Sequence, residues 1–262
     1  MRWMVDHLSL AWPLAKRDVM ARYRGSAAGL LWALLAPLAM VAIYALVFQG
    51  VFQARWSGVA GPSNGIDYAA RLFAGLMVYS AVVDVASRAT RLMQDNANLV
   101  KRVVFPLELL CVALVMQTAV HTALQMLVLA AMLLVLGGGA HWSWLWLLAA
   151  WPWILLLQLA LAIGLAALGC YLRDLQHIVP LLMSGLLFLS PVFYPSSAAP
   201  KGLRWLLELN PLTAPIELVR AAWFGDAFPW SSVALPFAAT LLLLAAAHAL
   251  FVRLRPGFAD LV

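Results

Sequence analysis

Charge is scarce in this chain. Of its 262 residues, 17 are Lys or Arg and 11 are Asp or Glu, together 11%, while 65% are hydrophobic and mean hydropathy is +0.92. Soluble domains carry about 25% charged and about 45–50% apolar residues. So little polar sequence cannot cover a water-exposed globule of this size, which excludes a soluble enzyme, a disordered chain and a typical nucleic-acid binder. Cysteine is also sparse: Cys111 and Cys170 both fall in apolar runs and read as reduced packing residues. No CxxC or Cys/His spacing occurs, and His7, His121, His141, His177 and His248 are scattered, so a metal site has no support. GxxxxGK[ST], HExxH and GxSxG are all missing. The chain therefore has no P-loop of its own and no visible nucleophile or metal for intramembrane hydrolysis. No period of 20–50 residues marks repeats. Residues 1–24 are basic and interrupted by Pro13, and do not read as a cleavable signal peptide.

What is present is long apolar sequence. A spanning helix needs about 20 mostly apolar residues. Six segments qualify: 28–50, 68–87, 107–136, 144–171, 177–194 and 231–252, the fifth ending among Pro191 and Pro195. The expected fold is an all-α polytopic membrane protein with six transmembrane helices. Six spans put both termini on one side. That side collects Arg2, Lys16, Arg17, Arg22, Arg24, Arg88, Arg91, Lys101, Arg102, Arg173, Arg253 and Arg255. The other holds Arg55, Arg71, Lys201, Arg204 and Arg220. The basic excess predicts cytoplasmic termini. Nine tryptophans (Trp56, Trp142, Trp144, Trp146, Trp151, Trp153, Trp205, Trp223, Trp230) fall near the outer boundary. They read as an interfacial belt, with a ligand platform as the sharper alternative.

The remaining segments do not span. Met4, Leu8, Trp12, Ala15 and Val19 recur at helical spacing, with Lys16, Arg17 and Arg22 on other faces. This predicts an amphipathic helix on the inner leaflet, which Pro13 kinks or restarts. Between spans two and three, Asp95 or Asn96 can cap a short helix over 94–102, and Pro106 starts the next span. Leu99 and Val100 are apolar within that polar loop, suited to a partner's cleft or to a plain solvated turn. Asp67/Arg71 and Asp84/Arg88 are four apart and can pair on one helix face, and Glu108 sits where a helix dipole favours an anion. Asp84 also admits a functional reading, as intramembrane carboxylates do. Gln117, His121 and Gln125 form one polar stripe, for inter-helix hydrogen bonds or for a pathway lining. Ala160 and Gly164 form a small-xxx-small pair. After span five, Lys201–Leu209 and Pro215–Phe224 are two short helices around the turn Asn210-Pro211, with Thr213 as N-cap and Gly225 as stop. They predict a re-entrant or outer-surface helical hairpin, a candidate gate. Glu217 can pair with Arg220 there.

Several of these segments resemble one family. The run Arg17-Asp18-Val19-Met20-Ala21-Arg22-Tyr23-Arg24-Gly25-Ser26 followed by Gly29, Trp32 and Pro37, then Asn96-Ala97-Asn98-Leu99-Val100-Lys101 and Phe105-Pro106, is similar to the membrane subunit of ABC-2 type polysaccharide exporters. These serve O-antigen, capsule and teichoic-acid export. The likeness continues at Pro191, Asn210-Pro211-Leu212-Thr213, Glu217-Leu218-Val219-Arg220 and Arg255-Pro256-Gly257-Phe258-Ala259-Asp260, in order along nearly the whole chain. One departure is Leu107-Glu108, where members often have Arg before the Glu.

The resemblance implies one ABC-2 type transmembrane domain over 1–262, working as a multi-pass homodimer in the bacterial cytoplasmic membrane. Each subunit would dock on an ATPase subunit, two copies in all, that binds ATP and Mg; this chain would hold no cofactor. The cargo would be a lipid-linked polysaccharide, O-antigen in first place. Residues 1–24 would be an interface helix (Lys16, Arg17, Arg22, Arg24). Residues 94–102 would be the coupling helix (Asn96, Asn98, Leu99, Val100, Lys101, Arg102). Residues 201–225 would be the outer gate (Trp205, Asn210, Glu217, Arg220). Spans one and five would line the conduit, making Trp32, Tyr44, Phe48, Phe188, Phe193 and Tyr194 sugar-stacking candidates. The competing readings are an exporter of another lipid or a drug, a channel or secondary transporter resting on the Gln117 stripe, and a membrane enzyme acting on lipid-linked glycans. The last needs an acidic cluster, yet Glu208, Glu217 and Asp226 are separated in sequence.

Overall fold

The structure is a computed structural model that describes residues 2–23, 29–47, 56, 65–101, 105–135, 141–200, 202 and 204–262. For residues 2–10, 22, 23, 30, 33, 34 and 65 the description covers the backbone alone. Among the described residues the regular structure is entirely helical, with no strand. The helices are α1 (Arg2–Tyr23), α2 (Trp32–Ala45), α3 (Gly65–Ala89), α4 (Leu92–Asp95), α5 (Ala97–Val100) and α6 (Glu108–Val135). They continue with α7 (Leu147–Tyr171), α8 (Leu175–Phe188), α9 (Arg204–Leu209), α10 (Thr213–Phe224), α11 (Ala234–Leu254) and α12 (Phe258–Leu261).

Four of these, α3, α6, α7 and α11, are long and apolar enough to cross a membrane. With 25, 28, 25 and 21 residues, they run roughly 31–42 Å, against about 30 Å of hydrocarbon. The segments read as spans one and five contain shorter apolar helices. α2 and α8 have 14 residues each, roughly 21 Å. α8 stops at Phe188 and residues 189–194 form turns. Pro191 accounts for the early stop, since it disfavours helical backbone at Ser190 just past the helix end. α2 follows a single 3₁₀ turn, Gly29–Leu31, whose first residue has φ +51, a left-handed value that glycine adopts without strain.

α3 is the hub, packing against α2, α6, α7, α8 and α10. Its buried face is rich in small residues, among them Ala69, Ala70, Ala74, Ala81 and Ala86, which lets several helices approach one axis closely. α11 packs mainly on α7. There the expected small-residue contact is realised: a Cβ at Gly164 would lie 3.4 Å from that of Ala247, and Ala160 is buried. Gly169 is needed for a closer approach, because a Cβ there would overlap the Thr90 carbonyl.

Two apolar cores divide the bundle. One surrounds Phe73, Met77, Trp153, Ile154, Ile216 and Trp223. The other surrounds Val85, Met93, Leu110, Cys111, Ile163, Phe251 and Phe258, so both cysteines are buried and unpaired, as packing residues. α1 lies along α6 and is one helix across Pro13, not two pieces. Its inward side is Ala11, Leu14 and Ala15, while Trp12, Lys16 and Arg17 are exposed. Trp12 therefore does not join the packed stripe: the small side chains are what allow α1 to lie close to α6.

Candidate functional site

The most constrained backbone is the irregular stretch after α8. A broken helix leaves carbonyls without partners, and buried ones need them. Here neighbouring elements supply the donors. Asn210 Nδ2 donates to the Leu189 carbonyl at 2.9 Å and to Ser190 Oγ at 2.8 Å. Arg220 Nη2 donates to the carbonyls of Pro191 at 2.7 Å and Val192 at 3.2 Å. The Tyr68 hydroxyl donates to Phe193 at 3.1 Å, and that of Tyr79 to Met183 within α8. Side chains from α3, α10 and the α9–α10 turn thus hold one break in place.

Two buried arginines organise this end of the bundle. Arg220 is 4% exposed. Its Nε donates to the Arg71 carbonyl at 3.3 Å, and its guanidinium lies 4.4 Å from the Trp56 ring centroid. Gly75 makes room for it: a Cβ there would sit 2.6 Å from Nη2. Arg71, equally buried, takes the expected partner Asp67 at 3.0 Å and also Asp226, through a second contact at 3.3 Å. It stacks on Phe224 at 4.2 Å. Charge in a low-dielectric setting persists only when paired and hydrogen-bonded in this way.

α9 and α10 form the expected pair of short helices. Their junction is capped differently from expectation. Thr213 is the first residue of α10, and its Oγ1 is buried without a hydrogen bond. Asn210 Oδ1 accepts the Leu212 N–H at 2.9 Å instead, a local turn that asparagine favours. Gly225 ends α10 with φ +70, as its position suggested. Ser143 Oγ and Trp144 Nε1 donate to the last carbonyls of α10, at Ala222 and Trp223. Glu217 does not form a salt bridge with Arg220 among the described contacts: its Oε1 accepts the Ser196 N–H at 2.9 Å. Trp205 is exposed on α9.

The aromatic candidates separate. Phe188 stacks on Phe193 at 5.9 Å, and the Tyr194 hydroxyl donates to the Phe188 carbonyl at 3.0 Å. Tyr44 and Phe193 both pack against the small cluster of Trp56, Tyr68 and Leu72. Trp32 is exposed at the other end of α2, about 18 Å from Tyr44 along the helix axis. Phe48 lies outside the described residues. The tryptophans also divide: Trp142, Trp205 and Trp230 are exposed as a belt requires, whereas Trp56, Trp153 and Trp223 are buried packing residues.

At the opposite end of α3, Arg88 pairs with Asp84 at 3.5 Å and donates to Gln117 at 2.7 Å, while Thr118 donates to Asp84 at 3.3 Å. Gln117 thereby serves an inter-helix network. A cavity of about 520 Å³ opens here between Arg17 and Asp18 of α1, Arg88 of α3 and Asn96. The 94–102 segment is two single turns, α4 and α5, not one helix. Asn96 occupies the N-cap position of α5, but its side chain bonds back to the Leu92 carbonyl at 2.9 Å. Val100 is buried in the core around Phe258, with Leu99 packed beside it. The exposed positions are Asp95, Asn98 and Lys101. Arg24 and Arg102, and the side chain of Arg22, lie outside the description. Glu108 pairs with Arg255 at 3.3 Å, tying the start of α6 to the chain's end.

The described residues thus form a helical bundle with a braced break after α8, two short helices, α9 and α10, and a charged opposite end. The family described as ABC-2 type transporter matches residues 10–224. The chain belongs to this ABC-2 type transporter family. It is similar to an O-antigen export system permease protein, RfbA, of Myxococcus xanthus, with 30% identity over 99% of this chain and 97% of the relative. A protein of the same name from Klebsiella pneumoniae is 24% identical over 95% and 93%. The polysialic acid transport protein KpsM of Escherichia coli is 24% identical over 79% and 78%.

Within this ABC-2 membrane protein, sequence reasoning picked Asn210, Glu217 and Arg220 but missed their partners. Tyr68, Gly75 and Ser190 carried no local signal, and Asp226, the partner of Arg71, was read only as a separated outer acid, because each acts across a large sequence separation. Arg71 was visible only through its spacing from Asp67.

Proposed function

We propose that this chain is the membrane-spanning permease subunit of an ATP-driven exporter that moves a lipid-linked polysaccharide, O-antigen, outward across the bacterial cytoplasmic membrane. The observation that carries the reading is similarity along 99% of the chain to an O-antigen export permease. In this reading the four long helices are joined by two shorter spans built around α2 and α8, completing six. Both termini face the cytoplasm, as the basic excess requires.

Two copies form the conduit. The exposed apolar residues of α2 and α8, such as Leu35, Leu38, Leu181 and Phe188, face the partner copy or lipid. Tyr44, Phe188, Phe193 and Tyr194 offer ring faces to passing sugars. α1 lies at the inner leaflet and, with α4 and α5, receives the ATPase subunits that bind ATP and Mg. Asn98 and Lys101 present the exposed side of this coupling segment. The α9–α10 hairpin is the outer gate, and Arg220 links it to the break after α8 and to α3. A gate so linked moves with α3 as a unit.

Depletion of the chain from cells that make O-antigen tests the reading. Surface O-antigen is expected to disappear, lipid-linked glycan to accumulate inside, and the intact chain to restore export. Undiminished surface O-antigen would overturn it. The purified permease is expected to hydrolyse ATP only in complex with a separate ATPase; turnover by the permease alone would overturn the subunit assignment.

A further inference from the structure

Beside the hairpin lie two cavities that the fold alone does not need. One, of about 560 Å³, is bounded by α9, α10 and the start of α11. The other, of about 420 Å³, reaches Trp56 and Arg220. They share Ser196, Ser197, Glu217, Phe228 and Pro229, so they form one continuous groove. It leads from the aromatic cluster against which Phe193 packs to the exposed turn before α11.

The lining of the groove is amphipathic in a specific way. Leu207 and Phe228 supply apolar surface, while Arg204, Glu208 and Ser231 supply donors and acceptors. Glu208 and Ser231 are exposed. Thr213, also in the lining, carries the buried hydroxyl that makes no hydrogen bond in the protein. Apolar surface with a few placed polar groups, in a volume of this size, is the usual form of a small-ligand site. A pyranose ring matches it, with C–H groups on one face and hydroxyls around the edge. Arg220, in the same lining, is engaged by three carbonyls and the Trp56 ring.

We propose that this groove is a carbohydrate-binding track, in which one or two sugar units of the emerging glycan rest between the gate hairpin and the last span, with Glu208 and Ser231 hydrogen-bonding ring hydroxyls over Phe228. The inference rests on the permease reading above and adds an exit subsite outside the conduit aromatics.

The test places a photo-crosslinking amino acid at Ser231 of the intact exporter in cells that make the glycan, with Leu242, an exposed apolar residue further along α11, as the control position. Glycan adducts at Ser231 and none at Leu242 are expected. In a second arm, Ser231→Trp, which fills the groove, is expected to lower surface glycan several-fold at unchanged permease abundance, and Leu242→Trp to leave it unchanged. Adducts to phospholipid only, or no adduct while export proceeds, would overturn the track and leave the permease reading standing. Surface glycan that does not depend on the chain at all would instead overturn the permease reading, and this inference with it.

Discussion

α3 carries the same small motif twice, an Asp followed four residues later by an Arg, and the two copies have different fates. Asp67/Arg71 sits at the α10 end, and the Arg71 side chain is 5% exposed. Asp84/Arg88 sits at the α4–α5 end, and the Arg88 side chain is 38% exposed. Arg71 is saturated by two carboxylates and a ring, and its own carbonyl accepts from Arg220. Arg88 has one longer ion pair and an amide, beside an open cavity. One motif makes a fixed joint and the other an adaptable contact, and the surrounding helices decide which. In the proposed exporter, the fixed joint transmits motion to the gate and the adaptable end accepts it from the ATPase.

The comparison breaks most directly at Arg220. Arg220→Ala removes the donor from the Pro191 and Val192 carbonyls and is expected to cost about 3 kcal/mol or more, read as a large fall in Tm of the purified protein in detergent. Arg220→Lys restores charge without the fork and is expected to recover only part of the loss. An unchanged Tm for the alanine variant would remove the idea of a fixed joint. Next comes Gly75→Ala. Alanine normally stabilises a helix interior by roughly 0.5–1 kcal/mol over glycine. Here its Cβ displaces the Arg220 guanidinium, and a net loss of about 1–3 kcal/mol is expected; a gain in Tm would show that the fit is loose.

Smaller effects sharpen the contrast. Asp226→Asn removes one of two carboxylates from Arg71, and since Asp226 is 39% exposed the expected cost is about 1 kcal/mol, reduced by solvent screening. Arg88→Ala at the opposite end is expected to change stability by less than about 1 kcal/mol. An Arg88→Ala loss as large as that of Arg220→Ala would erase the distinction between the two ends. Smallest in stability is Lys101→Glu on the exposed side of α5, expected to leave Tm within about 0.5 kcal/mol of wild type while lowering glycan export per ATP hydrolysed. Normal coupling in that variant would remove Lys101 from the proposed ATPase contact.

The elements themselves were largely legible because lipid imposes a long apolar period that sequence displays directly. α3, α6, α7 and α11, the short helices α9 and α10 and the Gly225 stop follow from hydropathy, proline and glycine. The misreadings have physical causes. The extent of the helix in the fifth apolar run was misread because hydropathy does not register where proline ends hydrogen bonding: α8 stops at Phe188. Val100 looked partner-facing because an apolar side chain in a polar loop carries no sign of direction, and it packs against the core around Phe258. Glu217 and Arg220 looked like a pair because of their spacing, yet each found a backbone partner on another segment.

By itself, then, the sequence determined that the chain is a helical membrane protein, since burial in lipid is a property of composition and order along the chain. The tertiary structure alone decided which polar residues act together. Arg71, Gly75, Asp226, Asn210 and Arg220 meet because α3, α10 and the break after α8 converge, and the backbone groups left open by that break draw donors from whatever lies beside them.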